Sequence, residues 1–227
     1  MKKISFLLGL ALVSLFVFSS FSIDASNPTI AERFASANIT ADKAASGAYN
    51  FDKAHSFIGF RVKHMGLIEV PGYFRDFTGA VNYNAKDVSK SSVEFTAKIA
   101  SVDTGVAGRN GHLQKPEFFD AEKFPDMKFK STKIEKKGKQ WMLTGDLTIR
   151  DVTKSITFPF DIAGFIAGER GTRMGFTAQT TINRREYGVN YDTKLPNGTL
   201  SVSDDIKIDL QIEAIMPAPQ PATTKSE

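Results

Sequence analysis

At 227 residues the chain has room for one domain or two small ones, and 41% hydrophobic with 24% charged residues is the balance of an ordinary soluble globular protein. The net charge of +4 is mild, and Lys133, Lys136, Lys137 and Lys139 flank Gly138 as in a solvated hairpin, so nothing points to nucleic acid. The absence of cysteine excludes disulfides, thiolate nucleophiles, Fe–S clusters, cysteine-ligated zinc and a lipid-modified cysteine.

Met1-Lys2-Lys3 precede an almost wholly apolar run from Ile4 to Phe18, then small and polar residues through Ala25. These are the three parts of a secretory signal peptide. The run falls short of the ~20 residues of a spanning helix, although an uncleaved anchor is the competing reading. Residues 1–25 are thus expected to direct export to the periplasm, and cleavage near Ala25 would lower the net charge from +4 to +3. Residues 26–47, rich in Ala, Ser, Thr and Asn, read as a flexible leader with one short helix from Asn27 to Ala37. Residues 215–227, with Pro217, Pro219 and Pro221, read as a disordered Pro-rich tail.

Between these ends apolar and polar residues alternate with period two. The apolar sets begin with Ile58, Phe60 and Val62, then Phe77, Gly79, Val81 and Tyr83, then Val93, Phe95, Ala97 and Ile99. Met127 to Ile134 follows, then Leu143, Gly145, Leu147 and Ile149, then Ile156, Phe158, Phe160, Ile162 and Ile166. Met174, Phe176, Ala178 and Ile182, and finally Ile206, Ile208, Leu210 and Ile212, complete eight strands. Eight antiparallel strands with one apolar face predict an all-β closed barrel or a sandwich, and closure removes exposed edges. Such a barrel holds one small ligand or is filled by its own side chains. Gly79, Gly145 and Gly164 each withdraw a side chain from the apolar face, leaving room or allowing a bend. Nineteen phenylalanines supply large apolar area with no polar group to satisfy, which suits a big core or a greasy cavity.

The alternation stops between Val106 and Pro125, where Phe118, Phe119 and Phe124 stand beside Arg109, His112, Glu117 and Asp120. Thr104 is placed to cap a short helix carrying Arg109 and Leu113, with Pro116 opening a second helical turn and Pro125 ending the excursion. Arg109 and His112, three apart, would project from nearly the same side. This polar-aromatic segment reads as a cap or mouth at one end of the barrel.

Ordered motifs run Tyr49-Asn-Phe-Asp52-Lys-Ala-His55-Ser56, Val70-Pro-Gly72-Tyr-Phe74, Arg109-Asn-Gly-His112, Phe118-Phe119-Asp120, Gly145-Asp-Leu147-Thr148-Ile149-Arg150-Asp151 and Asn183-Arg184-Arg-Glu186-Tyr187-Gly188. They resemble the YceI-like family of periplasmic lipocalin-like barrels that bind polyisoprenoids or other long-chain amphiphiles. The resemblance spans residues 48–214 and implies an eight-stranded antiparallel lipocalin-like barrel with a short helical insert capping one end. Asn110 departs from the pattern, standing after Arg109 where an acid is common.

Catalytic chemistry finds no foothold. There is no Gly-x-Ser-x-Gly elbow, Asp204 and Asp205 are adjacent and face opposite sides of a strand, and His55 and His64 are too far apart along the chain to share a metal. No metal or cofactor is expected. His55 reads as a turn residue beside Asp52, Arg150 to Lys154 as a hairpin turn, and the Arg184–Tyr187 segment either as an anion-binding pair of arginines or as a helical turn paired through Glu186. The expected function is a non-enzymatic exported binding protein that holds an isoprenoid quinone, a prenyl phosphate or another long-chain amphiphile for carriage, storage or sequestration. Phe60, Val62, Phe95, Phe118, Phe119, Phe129, Leu147, Phe158, Phe160 and Phe176 are expected to line its cavity, with Arg109, His112 and Arg184 meeting a headgroup. Ligand exchange implies transient membrane contact, and an edge strand could mediate a homodimer. Two alternatives stand beside this: an enzyme on a lipid-like substrate using His64 or His112, and a packed barrel acting as an envelope stress interaction module.

Overall fold

The computed structural model describes residues 44–218; the expected signal peptide, nearly all of the leader with its short helix, and most of the tail lie outside the described residues. Within them the alternating segments form eleven strands. These are β1 (Gly47–Phe51), β2 (Phe57–His64), β3 (Ile68–Phe74), β4 (Phe77–Tyr83), β5 (Ser92–Lys98), β6 (Val102–Asp103), β7 (Asp126–Lys137), β8 (Gln140–Ile149), β9 (Val152–Gly168), β10 (Gly171–Asn183) and β11 (Val202–Pro217). Pairing runs β1-β4-β5-β7-β8-β9-β10-β11 and returns from β11 to β1, where Asn50 faces Ile215 and Phe51 faces Ala214.

The result is a closed antiparallel barrel of eight staves, as the eight apolar sets predict. The three extra strands are breaks within staves. β11 pairs with β1 near its end and with β2 nearer its start, so β1 and β2 are successive halves of one stave. β3 and β4, and likewise β5 and β6, stand in the same relation. In the first break the Asp52 carboxylate accepts the Ala54 N–H at 3.0 Å and holds His55 Nδ1 at 2.8 Å, so His55 does serve a turn. A 3-10 turn, Ile99–Ser101, makes the third break.

Two boundaries and one register differ from the sequence reading. Ser46 Oγ accepts the Ala85 N–H and Tyr49 donates its hydroxyl to Ala45 O, so the end of the leader belongs to the barrel. β11 continues through Ile215 and Met216 to Pro217, opposite Gly171, and moves the tail boundary outward. Ile166, grouped with the interior residues, points to solvent, while Phe165 is buried. The cause is a bulge: Gly164 pairs with Gly175 but Ile162 pairs with Phe176, which leaves Ala163 unmatched and inverts the alternation beyond it. Gly164, at φ +143, supplies the bend.

Up-and-down order sends four connections to the same end: residues 65–67, 104–125, 150–151 and 184–201. The opposite end holds the short turns 138–139 and 169–170 and is filled. Tyr49, Tyr83 and Phe165 pack there with ring centroids 4.8–6.3 Å apart, and Phe51 lies 5.9 Å from Phe176. Gly79 and Gly145 make room, though for neighbouring rings. A Cβ on Gly145 would stand 2.4 Å from Phe129 Cζ and 2.7 Å from Lys130 O, and one on Gly79 would stand 2.5 Å from Phe51 Cε2.

Replacing Gly145→Ala should therefore lower unfolding free energy in urea by about 1–3 kcal/mol through overpacking. Gly108→Ala, where nothing lies within 4 Å, should leave it unchanged or slightly raised.

Candidate ligand-binding site

At the end where the four connections gather, the barrel encloses a cavity of about 470 Å³. That volume falls within the range of small-molecule sites. Its walls are the inward residues of the staves: Phe60 and Val62 from β2, Phe95 from β5, Phe129 from β7, Leu147 from β8 and Phe158 from β9. Phe129 stacks on Phe95 and leans on Phe158, each at 5.7 Å, and these rings form part of the wall. No carboxylate and no lysine lines the cavity among the described residues.

The lining residues that reach solvent are Met65, Pro71, Arg109, His112 and Thr193. They place the mouth between the β2–β3 turn, the helix α1 (Ala107–Leu113) and the β10–β11 connection. α1 is not capped by Thr104 as expected; the cap position is Val106, with no side-chain hydrogen bond. Instead Asn110 Oδ1 accepts from Thr104 N at 2.8 Å and from Thr104 Oγ1 at 2.7 Å. A neutral amide, able to accept and donate, does this tethering beside Asp103, where a second acid would meet like charge. After α1 the chain folds in: Phe118 stacks on Tyr191 at 4.5 Å and Phe119 meets Phe74 at 5.8 Å, so both phenylalanines cap the barrel and line the cavity.

The polar residues divide into two kinds. Arg109 and His112 stand together at the mouth, as their spacing predicts. Arg109 donates Nε and Nη2 to Thr104, and His112 Nε2 lies 3.1 Å from Glu117 Oε1 with its ring edge-on to Phe118 and Tyr191. Arg184 also lines the cavity, but its donors are turned to other partners. It is 5% exposed, and its guanidinium donates to Ser203 O, Val189 O, Tyr191 O and Asp204 Oδ1 at 2.7–3.0 Å. With four of five N–H groups engaged, it staples the β10–β11 connection and has little left for a headgroup. Its segment is a 3-10 turn, Arg184–Tyr187, and the acid that pairs both arginines is Asp204, not Glu186. A bulge in β11 between Val202 and Ile206 brings Asp204 to this pairing. Phe160 and Phe176, also expected along the cavity, belong to the filled end with Met174 and Ile162. Phe160 shares the parity of Phe158 on β9 but lies further toward the filled end.

Three contributors escaped the sequence reading. Arg150 does lie in the hairpin turn, at φ 58, yet its Nη1 donates to Pro116 O at 3.1 Å, Phe118 O at 3.0 Å and Gly188 O at 2.9 Å, while Nη2 lies 3.5 Å from Asp120. One guanidinium thus clasps the insert to the β10–β11 connection. Tyr191, outside any alternating segment, supplies the stacking partner of Phe118. Tyr187 lines the cavity at 1% exposure, and its hydroxyl has no hydrogen-bond partner. Burial, with Glu186 adding to it, pushes its pKa up to about 12.

Two other features differ in kind from the cavity. A concavity of about 620 Å³ lies outside the staves between outward-facing side chains such as Glu94, Lys128 and Lys130, open to solvent. Asp52, His55 and Glu213 bring ligand atoms within 4.8 Å of one another, but Arg173 Nη1 bonds both carboxylates and already answers their charge.

The profile of the YceI-like domain matches residues 49–214. The chain belongs to the YceI-like family. A UPF0312 protein of Photorhabdus laumondii is 34% identical over 178 residues, 76% of this chain and 90% of that protein. Among solved structures, Burkholderia cenocepacia BcnA is 25% identical with a TM-score of 0.64, over 72% of this chain and 99% of BcnA. A polyisoprenoid binding domain from Saccharophagus degradans, implicated in plant cell wall breakdown, shares the fold at 14% identity and a TM-score of 0.58, over 76% of this chain and all of that one. The matched span runs through the barrel from β1 to β11, together with the insert.

Removing the clasp with Arg150→Ala should cost about 2–4 kcal/mol of stability and speed amide exchange between residues 116 and 124 more than in the filled end. Tyr187→Phe should stabilise the ligand-free protein by about 1 kcal/mol, because an unpartnered buried hydroxyl is destabilising. Since the folded pKa of Tyr187 stands above the unfolded value of 10, stability falls as pH rises from 10 towards 12. The same substitution should flatten that alkaline fall in pH-dependent denaturation curves.

Proposed function

We propose that the protein is an exported, non-enzymatic binding protein that holds the chain of a polyisoprenoid, such as an isoprenoid quinone or prenyl phosphate, or of another long amphiphile. The observation that carries this reading is the cavity, about 470 Å³ and walled by phenylalanine and aliphatic side chains. Each methylene buried contributes roughly 0.8 kcal/mol, so about ten carbons give ~8 kcal/mol gross. That suffices for micromolar binding before ordering costs are subtracted. No buried charge is needed. The polar groups at the mouth, Arg109 and His112, suit a headgroup left near solvent, and the Saccharophagus degradans domain of the same fold is a polyisoprenoid binding domain. Carriage or storage is the role that suits a cavity lined almost wholly by apolar side chains, with its histidines, His64 and His112, toward the mouth. The amino-terminal sequence, with its basic start and apolar run, supports export to the periplasm.

Organic extracts of the purified protein should contain a prenyl or acyl lipid by mass spectrometry, and added prenyl lipid should bind the delipidated protein. Repeated absence of both would end the carrier reading. Filling the cavity with Val62→Trp should weaken binding at least about tenfold while the circular dichroism spectrum stays that of the parent. Phe160→Ala offers the contrast: in the filled end it should lower stability by about 3–5 kcal/mol and change affinity little.

A further inference from the structure

The apolar surface of the cavity does not stop at its mouth. Met65 lines the cavity and is 37% exposed, and the turn it begins carries Leu67 at 78% and Ile68 at 64% exposure. Val106, 50% exposed, leads into α1 at the other side of the mouth. These are four of the five exposed large hydrophobic side chains among the described residues; the fifth, Ile166, lies in the other half of the barrel. Single exposed apolar residues carry no message, but a cluster around an opening marks an interaction surface.

The turn is built to present these side chains. Leu67 N–H donates to His64 O at 2.9 Å, and Met65 and Gly66 have φ of 52 and 74, which makes a tight hairpin turn with two left-handed residues. Asn or Gly is the easy choice at the first of these positions, and methionine is not. Met65 N–H donates to Ser201 O at 2.9 Å, which holds the tip in place against the β10–β11 connection. The partner chemistry follows from the surroundings. Residues 68–72 of β3 have no second strand neighbour, but Pro71 interrupts their N–H row and disfavours an added peptide strand. Lys63 and Lys194 are exposed beside the tip, and neither has a carboxylate within ion-pair distance among the described residues; Glu69 is engaged by Arg61 and Lys207. An apolar tip flanked by unpaired cations matches a bilayer surface with anionic headgroups.

We propose that this rim docks on a bilayer, with Leu67 and Ile68 entering the boundary between headgroups and acyl chains, so that an amphiphile passes between bilayer and cavity without crossing water. The transfer role rests on the amphiphile-binding reading of the cavity; the docking is measurable without any ligand. The test uses vesicles of phosphatidylethanolamine and phosphatidylglycerol and the full chain as cells produce it. The double substitution Leu67→Asp and Ile68→Asp should reduce vesicle partitioning by about a hundredfold, as the transfer of two such side chains implies. Their exposure leaves the fold unaffected. Leu67→Trp should show blue-shifted emission quenched by brominated lipid, beyond the background of Trp141. A fluorescent fatty acid supplied in solution should bind parent and double variant equally, while its uptake from vesicles slows in the variant. Equal sedimentation of parent and variant with an unquenched tryptophan at position 67 would overturn the proposal. So would a parent dimer that the double variant loses, which would assign the rim to a second copy of the chain. Failure of both proteins to bind either the fatty acid or a prenyl lipid in solution would sink the amphiphile reading and leave sedimentation to decide docking.

Discussion

The pairing of β1 and β2 with β11 is the constraint from which the rest of the structure follows. It joins the first described stave to the last, Asn50 to Ile215 at one end and His64 to Val202 at the other, and leaves the barrel no open seam along β11. Once eight staves alternate in direction around a closed ring, every second connection must emerge at the same end. The long insert, the β10–β11 connection and two tight turns are thereby gathered around one opening, though they come from four distant parts of the chain.

Inside the ring, side-chain volume decides what is core and what is cavity. Toward the end with the short turns, Tyr49, Tyr83, Phe165 and Phe176 meet across the axis and close it. Toward the other end the space is left to the aromatic rings of the insert, which reach the walls only at the rim. Phe118 and Phe119 cap the space beneath them, and Arg150 holds the backbone at Pro116 and Phe118. The cap is held up by a polar clasp and touched from below by apolar rings, which is how it covers the barrel without collapsing into it.

Alternation in the sequence shows which residues face inward and how many staves there are, and eight sets of apolar residues do become eight staves. It cannot show height along the axis, so Phe158 and Phe160 look alike although one lines the cavity and the other packs the filled end. It also loses phase at a bulge, where Ala163 turns Ile166 outward. Polar residues are harder. The spacing of Arg109 and His112 on one helical turn correctly brings them together, but whether an arginine meets a ligand or its own backbone depends on carbonyls contributed by distant segments. Arg184 is held by three such carbonyls and the Asp204 carboxylate, and Arg150 looks like a turn residue because its three acceptors lie more than thirty residues away in either direction. The orphaned hydroxyl of Tyr187 has no sequence signal at all, since it is defined by what fails to surround it.

The division of the barrel into a filled and a hollow half has a consequence for how it breathes. Cooperative opening units follow buried contact, and ligand sites draw on the least stable ones. Here the filled half can serve as a fixed clamp on all eight staves, and by that rule the connections at the hollow end are the ones expected to open locally, below the free energy of global unfolding. A guest could enter by brief fraying around the β2–β3 turn and α1 without the ring parting anywhere. By binding only the closed arrangement it would then damp those same fluctuations, so the protein's protection from exchange and proteolysis at that end becomes a gauge of its occupancy.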